Sequence, residues 1–147
     1  MPPASDDDLG PLGQSLGFWL RVAQNGVFEQ SKKAFAELDL RPQEYGLLLL
    51  VDHKPGRMQK DVATALRVRE ANLVAMLNRL QKRKLVRRSA PRKDGRTRVV
   101  DLTRTGEKLL RRAVRIEANL GKEFDRKLSR ADRARLVKFL TKLGAPD

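Results

Sequence analysis

Apolar residues recur every three or four positions through most of the 147-residue chain, and this spacing predicts helices. The first four helices are predicted over residues 12–38, 43–52, 59–66 and 70–84. Thr103 can cap a fifth helix, which holds one apolar face for four turns. Ser129, followed three residues later by Asp132, forms the capping box of a sixth helix. The pattern therefore predicts a fold in which helices dominate.

The hydrophobic period changes between the fourth and fifth predicted helices. Residues 85–88 and 97–102 are short β-branched or basic runs, which are typical of strands. Asp94-Gly95 lies between these runs, and this dipeptide favours a hairpin turn. The sequence thus predicts a mainly α fold with one small β-hairpin. Residues 1–11 carry prolines and three aspartates and predict a disordered tail, which leaves residues 12–147 as a single domain.

Charge is distributed unevenly along the chain. Lys and Arg number 32 against 18 Asp and Glu, which gives a net charge of +14. Residues 54–104 carry sixteen basic and four acidic side chains, whereas residues 1–53 carry four basic and eight acidic ones. This concentration of positive charge within a patterned segment indicates a surface for a polyanion. The alternative is a solvated face that only keeps the protein in solution.

The composition narrows the chemistry that the chain can perform. It has no cysteine and a single histidine, His53, so disulfides and thiolate sites are excluded, and we expect neither a metal nor a cofactor. An enzyme is disfavoured because the sequence has no Gly-rich phosphate loop and its carboxylates are mostly spaced for helix pairing. The longest apolar run is too short for a membrane span, and the acidic N-terminus differs from a secretory leader. We therefore expect a cytoplasmic protein that does not contact the membrane.

Two short helices joined by a tight turn and followed by a basic hairpin are typical of a winged helix-turn-helix. The second of these helices, 70–84, can enter the major groove of DNA with its N-terminal residues at the base edges. The hairpin carries Arg92, Lys93 and Arg96, which can follow the phosphate backbone or enter the minor groove. Asp94 either holds Arg96 in one orientation or serves only to form the turn, and the sequence leaves both roles open.

Three stretches of the chain carry a specific combination of motifs. They are Leu40-Arg41-Pro42-Gln43-Glu44-Tyr45, the run 68–86, which ends Asn78-Arg79-Leu80-Gln81-Lys82-Arg83-Lys84-Leu85-Val86, and Asp94-Gly95-Arg96 followed by Leu102-Thr103 and Gly106. The third has the form Asp-x-Arg, five residues, then Leu-Thr. Together they resemble the MarR family (multiple antibiotic resistance regulators) of bacterial transcription factors over about residues 12–143. Arg41 stands where the family usually has a Thr or Ser cap.

The resemblance implies a homodimer bound to a double-stranded DNA operator. In the family, terminal helices interlock two subunits while two winged domains straddle a pseudo-palindrome. Residues 12–38 and 105–143 would then be the dimerisation helices, and residues 40–104 would form the winged helix-turn-helix. The wing arginine would be Arg96.

By the same resemblance, base contacts would fall on Arg69, Ala71 and Asn72. Asn72 could read an adenine through two hydrogen bonds, whereas Ala71 offers an apolar contact to a thymine methyl group. Two positions depart from the family pattern. Ala75 replaces an arginine that many members carry on this helix, and Glu70 repels phosphate unless it accepts from a cytosine amine.

A small-molecule site is the second candidate. The resemblance implies an aromatic carboxylate, a phenol or an aryl-coenzyme A thioester, bound where the first, second and fifth helices meet the DNA-binding lobe. Trp19 and Tyr45 could pack against such a ligand, and Arg21 or His53 could neutralise its acidic group. Trp19 and Tyr45 could instead belong to the dimer core, and His53 could be an exposed residue that stabilises the end of its helix.

These observations predict a ligand-responsive regulator, a homodimeric repressor that a small organic effector releases from its operator. The rival is a sequence-tolerant architectural DNA-binding protein without an effector, because Ala71 and Ala75 leave the recognition helix poor in base-reading groups. RNA binding by stacking is disfavoured, since residues 54–104 contain no aromatic side chain.

Overall fold

The computed structural model describes residues 6–90 and 98–145. Its helices are α1 (Asp6–Leu9), α2 (Leu16–Ala34), α3 (Pro42–His53), α4 (Gln59–Leu66), α5 (Glu70–Lys82), α6 (Arg104–Lys127) and α7 (Arg130–Leu143). Its strands are β1 (Arg57–Met58), β2 (Val86–Ser89) and β3 (Val99–Leu102), and two short 3₁₀ helices span Gly10–Gln14 and Ala36–Leu38. The predicted fold class, mainly α with a small β element, is confirmed.

The sheet has three antiparallel strands in the order β1-β3-β2. Val86 pairs with Leu102 in the predicted hairpin, and Arg57 of β1 pairs with Val100 on the other side of β3. The sequence did not predict β1, because two residues are too few to display a period. The loop before β1 is tied to β3, since the Gly56 backbone N–H donates to Asp101 Oδ1 at 2.7 Å.

The helix boundaries follow from local caps. The Thr103 hydroxyl accepts from the Gly106 N–H at 3.0 Å, and Ser129 Oγ accepts from the Asp132 N–H at 3.2 Å, so both predicted caps are confirmed. At the N-terminus, Ser15 caps α2 through the Phe18 N–H, and the helix therefore begins four residues later than predicted. The segment before it is helical from Asp6 onward, although its composition predicted a frayed tail through residue 11.

The hydrophobic core lies in the middle of the chain. Among the described residues, the buried apolar side chains fall between Phe35 and Ala113, and they include Leu47, Leu77 and Val100 at zero exposure. The helices α3, α4 and α5 and the sheet surround this core, and α6 covers it from outside. In contrast, α2 and α7 bury none of their described residues. Within the described part of the chain, no helix has the length and apolar character that crossing a membrane requires.

Candidate nucleic-acid interface

The candidate DNA-reading helix, α5, is joined to α4 by a tight turn. Arg67 ends α4 in the left-handed conformation with φ 53°, and the Val68 N–H donates back to the Ala63 carbonyl at 3.1 Å. Arg69 then adopts an extended conformation as the N-cap of α5, and its carbonyl accepts from the Asn72 and Leu73 N–H groups. This geometry is that of a helix-turn-helix in which α5 is the second helix.

The two faces of α5 differ completely in exposure. Its inner face places Leu73, Met76, Leu77 and Leu80 in the core. The predicted base-contacting residues Arg69, Ala71 and Asn72 are all exposed at its N-terminal end. Ala75 and Asn78 continue this exposed face toward the C-terminus. The structure therefore brings the three predicted residues together on one accessible surface.

Arg88 of β2 joins the sheet to α5. Its Nε donates to Gln81 Oε1 and its Nη2 donates to Asn78 Oδ1, both at 2.6 Å. Because both acceptors are neutral amides, the guanidinium is held in one place without a carboxylate beside it to offset its charge. Sequence reasoning missed Arg88, although the period of two along the strand places it on the same side as the buried Val86.

A second cluster also holds the C-terminal half of α5. Arg79 Nη1 donates to Glu44 Oε2, and its Nη2 donates to Asp39 Oδ1, each at 2.6 Å. Glu44 is completely buried and also accepts from the Arg41 backbone N–H at 3.0 Å. Glu44 thus provides the cap of α3 that the Arg41 side chain lacks, and it ties α5 to the junction between α2 and α3.

The predicted hairpin tip lies outside the described residues. These are Arg92, Lys93, Asp94 and Arg96, and their roles remain predictions. The strands on either side of the tip are described, with β2 ending at Ser89 and β3 beginning at Val99.

The first two candidate ligand residues lie on the outer side of α2. Trp19 is 41% exposed, its Nε1 donates to the Gly13 carbonyl at 2.6 Å, and its ring contacts Phe18 edge-on. The Arg21 guanidinium lies 5.4 Å from the centre of the Phe18 ring. Arg21 also lines a groove of about 760 Å³ between α2 and α7, whose apolar walls include Phe28 and Leu140.

The other two candidate ligand residues lie on α3, at different depths. Tyr45 is half-buried and packs against Phe35, with ring centres 4.9 Å apart. Burial, assisted by the negative charge of Glu117, raises the pKa of the Tyr45 phenol above its ordinary value. His53 is exposed at the C-terminal end of α3. The four candidates are therefore distributed over the outside of α2, the interior and the end of α3, and their role in binding a ligand stays a prediction.

Comparison with known proteins places this geometry in a family. A family model described as MarR family matches residues 38–97. The transcriptional regulator HosA of Escherichia coli O157:H7 is 34% identical over 129 residues, which cover 82% of this chain and 96% of HosA. The transcriptional repressor CouR, solved with a 23-mer DNA duplex, is 34% identical, with a TM-score of 0.89 over 93% of this chain and 97% of CouR. CouR bound to p-coumaroyl-CoA is 32% identical, with a TM-score of 0.85 over 95% of this chain and 98% of CouR. The chain belongs to the MarR family of transcriptional regulators.

Proposed function

We propose that the protein is a homodimeric repressor that binds a pseudo-palindromic operator and is released from it by a small aromatic effector. The observation that carries this proposal is the exposed N-terminal face of α5, with Arg69, Ala71 and Asn72 side by side on a helix whose other face is buried. A helix held in this way can enter the major groove with its N-terminal residues at the base edges.

The residues of this surface have different roles in the proposal. Asn72 reads an adenine, Ala71 contacts a thymine methyl, and Arg69 reaches a guanine or a phosphate. Arg88 provides a positive charge at the angle between α5 and the wing, where it contacts a phosphate. At the wing tip, Arg92, Lys93 and Arg96 bind the backbone or the minor groove, and Asp94 orients Arg96.

The apolar surfaces of α2 and α7 support a dimer. Large apolar side chains on both helices are between 38% and 60% exposed in the single chain, among them Val22, Val27, Val137 and Phe139. Exposed apolar patches of this kind mark interaction surfaces. A second copy of the chain would cover them and would hold two α5 helices at the fixed spacing that a pseudo-palindrome requires.

The effector class in the proposal is an aromatic acid, a phenol or an aryl-coenzyme A thioester. CouR, which is 32% identical to this chain in that structure, is a repressor bound to p-coumaroyl-CoA, and this supports the thioester. Arg21 in the α2–α7 groove and Trp19 on the outer side of α2 could contact such a ligand, as could Tyr45 and His53 on α3. Release requires that the effector bind better to a dimer whose two α5 helices are wrongly spaced for adjacent major grooves.

The proposal is tested by binding the protein to its own upstream intergenic DNA at physiological salt with random competitor DNA. A regulator should prefer its site by on the order of a thousand-fold or more. Asn72→Ala should lose discrimination at one base position per half-site, at about 1–3 kcal/mol. Arg96→Ala should weaken specific and random binding alike and reduce the salt slope by about one per wing. Wild-type behaviour of both variants would contradict the placement of the DNA surface.

Arg88 has a matched control on the same strand. Arg88→Ala and the neighbouring Arg87→Ala each remove one positive charge, but only Arg88 is bonded to α5 in the described residues. We expect Arg88→Ala to weaken operator binding more than Arg87→Ala does, and Arg88→Lys to restore only part of the loss because lysine lacks the planar fork. If Arg87→Ala and Arg88→Ala lose the same operator affinity, Arg88 contributes only its positive charge and has no specific contact.

The effector is tested in the same assay with aromatic acids, phenols and their coenzyme A thioesters. A compound that dissolves the specific complex would identify the effector class. A specific complex that resists every compound would contradict the effector part of the proposal and leave the repressor. Complexes that random DNA competes away equally would favour the architectural role, for which the exposed alanines Ala71 and Ala75 on α5 are the specific observation.

A further inference from the structure

The outer face of α6 carries a long row of positively charged side chains. Residues that recur every three, four or seven positions along this face are Arg104, Lys108, Arg111, Arg115, Lys122 and Arg126. The opposite face of the helix is buried through Gly106, Leu110 and Ala113. At 1.5 Å per residue the row is about 33 Å long, and we call it the α6 ridge. Within residues 6–90 and 98–145, none of its six side chains forms an ion pair, so no carboxylate is bonded to these cations.

The α6 ridge is separate from the exposed face of α5. The inner side of α6 packs on α2, α3 and β3, whereas α5 packs on α4 and β2. Each helix therefore turns its polar face away from the shared core at a different place on the domain. The proposed DNA-reading surface uses Arg69, Arg88 and the basic residues of the hairpin tip, but it leaves the charge of the α6 ridge unexplained.

A groove of about 350 Å³ opens beside the ridge, between α3 and α6. Its apolar part is formed by Leu49 and Val114, which are 38% and 43% exposed, together with Leu110. Arg111 and Arg115 of the ridge stand on one border of the groove. Two carboxylates, Asp52 and Glu107, also line it. Among the described residues, neither carboxylate forms an ion pair with a basic side chain, so both can accept hydrogen bonds from a ligand.

The groove thus combines apolar side chains, arginines and carboxylates, and these suit the base, the phosphates and the hydroxyl and amine groups of a nucleotide. We infer that the groove and the adjacent α6 ridge bind the nucleotide end of a coenzyme A thioester. The adenine packs on Leu49 and Val114, because a flat aromatic base is best buried against apolar side chains. The carboxylates of Asp52 and Glu107 accept from the exocyclic amine and the ribose hydroxyl. This inference rests on the thioester effector of the proposed function.

The phosphates of the same ligand lie on the ridge. The guanidinium groups of Arg111 and Arg115 present planar pairs of donors, which suit phosphate oxygens. Lys108, one helical turn before them, is in reach of a second phosphate group. A coenzyme A thioester carries both a 3′-phosphate and a pyrophosphate, so its charge requires several cations in a row. A free aromatic acid requires only one, and it leaves most of the ridge unused.

The inference is tested by calorimetric titration of the full-length protein with coenzyme A, 3′-dephospho-coenzyme A and phosphopantetheine. We expect coenzyme A to bind at least about tenfold more tightly than phosphopantetheine, with 3′-dephospho-coenzyme A between them. The double variant Arg111→Gln/Arg115→Gln should weaken coenzyme A at least about tenfold and abolish its preference over the dephospho form. These side chains are exposed, and thermal melting of each variant verifies that it remains folded.

A matched control removes the same charge elsewhere. The double variant Arg130→Gln/Lys138→Gln takes two exposed cations from α7 and should bind coenzyme A like wild type. Leu49→Glu places a third carboxylate in the groove and should weaken coenzyme A without altering operator binding. If the α7 variant loses as much affinity as the ridge variant, the effect is net charge alone and the inference is wrong. It is equally wrong if phosphopantetheine binds as tightly as coenzyme A.

Two further outcomes separate this inference from the proposed function. If a free aromatic acid dissolves the operator complex while coenzyme A and its thioesters neither bind nor act, the regulator stands and the nucleotide site is refuted. If the ridge variant binds random duplex DNA as weakly as Arg88→Ala does, the ridge is part of the DNA surface, and this too overturns the nucleotide site. Coenzyme A binding that is lost only in the ridge and groove variants supports it, whether or not the operator responds.

Discussion

The helix-turn-helix lobe (α3, α4, α5 and the sheet) and the terminal helices α2 and α7 differ in where they place their apolar side chains. In the lobe, α5 places four large side chains in the core and exposes mainly alanine and polar groups. In α7, every described residue is exposed, and Phe139 retains 60% of its accessible surface. The lobe therefore buries most of its large apolar side chains within one chain, whereas α2 and α7 carry theirs on the outside, where a second chain would cover them.

This difference separates two kinds of stability. The lobe should depend on contacts within one chain, and its variants should act in the same way at every protein concentration. The terminal helices should depend on association, so their variants should act through the concentration of dimer. The predictions below test this division, beginning with the variant that should have the largest effect.

Arg79→Met should destabilise the lobe strongly. The substitution keeps the apolar stem but removes the donor that lies 2.6 Å from Glu44 Oε2. Glu44 is fully buried, and its Oε1 already has no hydrogen-bond partner among the described residues. An unpaired buried carboxylate typically costs about 3–5 kcal/mol. Urea denaturation should show a loss of this size that is the same at every protein concentration.

Two controls accompany Arg79→Met. Adding Glu44→Gln removes the buried charge and should restore part of the stability, whereas an equal loss in the double variant would contradict the explanation. Arg112→Met breaks an ion pair with Glu37 that spans 3.9 Å between exposed side chains. It should change the free energy of unfolding by less than about 1 kcal/mol.

Gly106→Ala should destabilise the protein by disturbing the close packing of α6 against the backbone of Leu85. A Cβ atom at this position would overlap the carbonyl oxygen of Leu85 and lie 2.9 Å from its carbonyl carbon. Both are backbone atoms of the residue that precedes β2, so they cannot move aside like a flexible side chain. We expect a loss of about 1–3 kcal/mol in thermal or urea unfolding.

Gly121 offers a control on the same helix. A Cβ atom there would meet nothing within 4 Å in the single chain. Gly121→Ala should therefore be neutral or stabilise the protein by up to about 1 kcal/mol, since alanine is the better helix former. If both variants lose the same stability, the close approach at Gly106 is not the cause.

Leu140→Ala should weaken the dimer rather than the fold. Leu140 is 43% exposed and lines the groove between α2 and α7. Sedimentation equilibrium should show a dimer dissociation constant raised about tenfold, or about 1.4 kcal/mol. Met58→Ala truncates a side chain of β1 with nearly the same exposure, 42%, and should leave association unchanged. A fall in stability without any change in association would place Leu140 in the core of its own chain.

Features that depend on one helix could be predicted from the sequence, whereas features that depend on how elements pack together could not. The buried stripes of α3, α4 and α5 give clear helical periods, and the resemblance placed Arg69, Ala71 and Asn72 on the outer face of α5, where the structure has them. The sequence could not predict Arg88, because its partners Asn78 and Gln81 belong to a helix seven to ten residues earlier and are neutral. It also missed β1, which exists only through pairing with β3.

The candidate ligand residues were harder to predict for a related reason. Trp19, Arg21, Tyr45 and His53 were grouped by residue type and by family resemblance. Their separation on α2 and α3 depends on how those helices pack. A helical period states which residues share a face, but it does not state which faces meet. The groove beside α6 has the same origin, since Leu49 and Val114 become neighbours only when α3 and α6 pack together.

Tyr45→Phe should have the smallest effect, and only in alkaline solution. Burial, and to a lesser extent Glu117, raises the pKa of the Tyr45 phenol above 10.0, so the folded protein holds this proton more tightly than the unfolded chain does. Stability that depends on the neutral phenol is complete below pH 10.0 and is lost as pH rises through the higher folded pKa. As the pH rises above 10, Tyr45→Phe should therefore lose less stability than the wild type does. The difference between the two losses should be less than about 1 kcal/mol after allowance for solvent screening. Tyr45 is the single tyrosine of the chain, so phenolate absorbance follows it alone. Glu117→Gln should lower this midpoint slightly. A wild-type midpoint at or below that of the urea-unfolded protein would contradict burial of the phenol as the main cause of the shift.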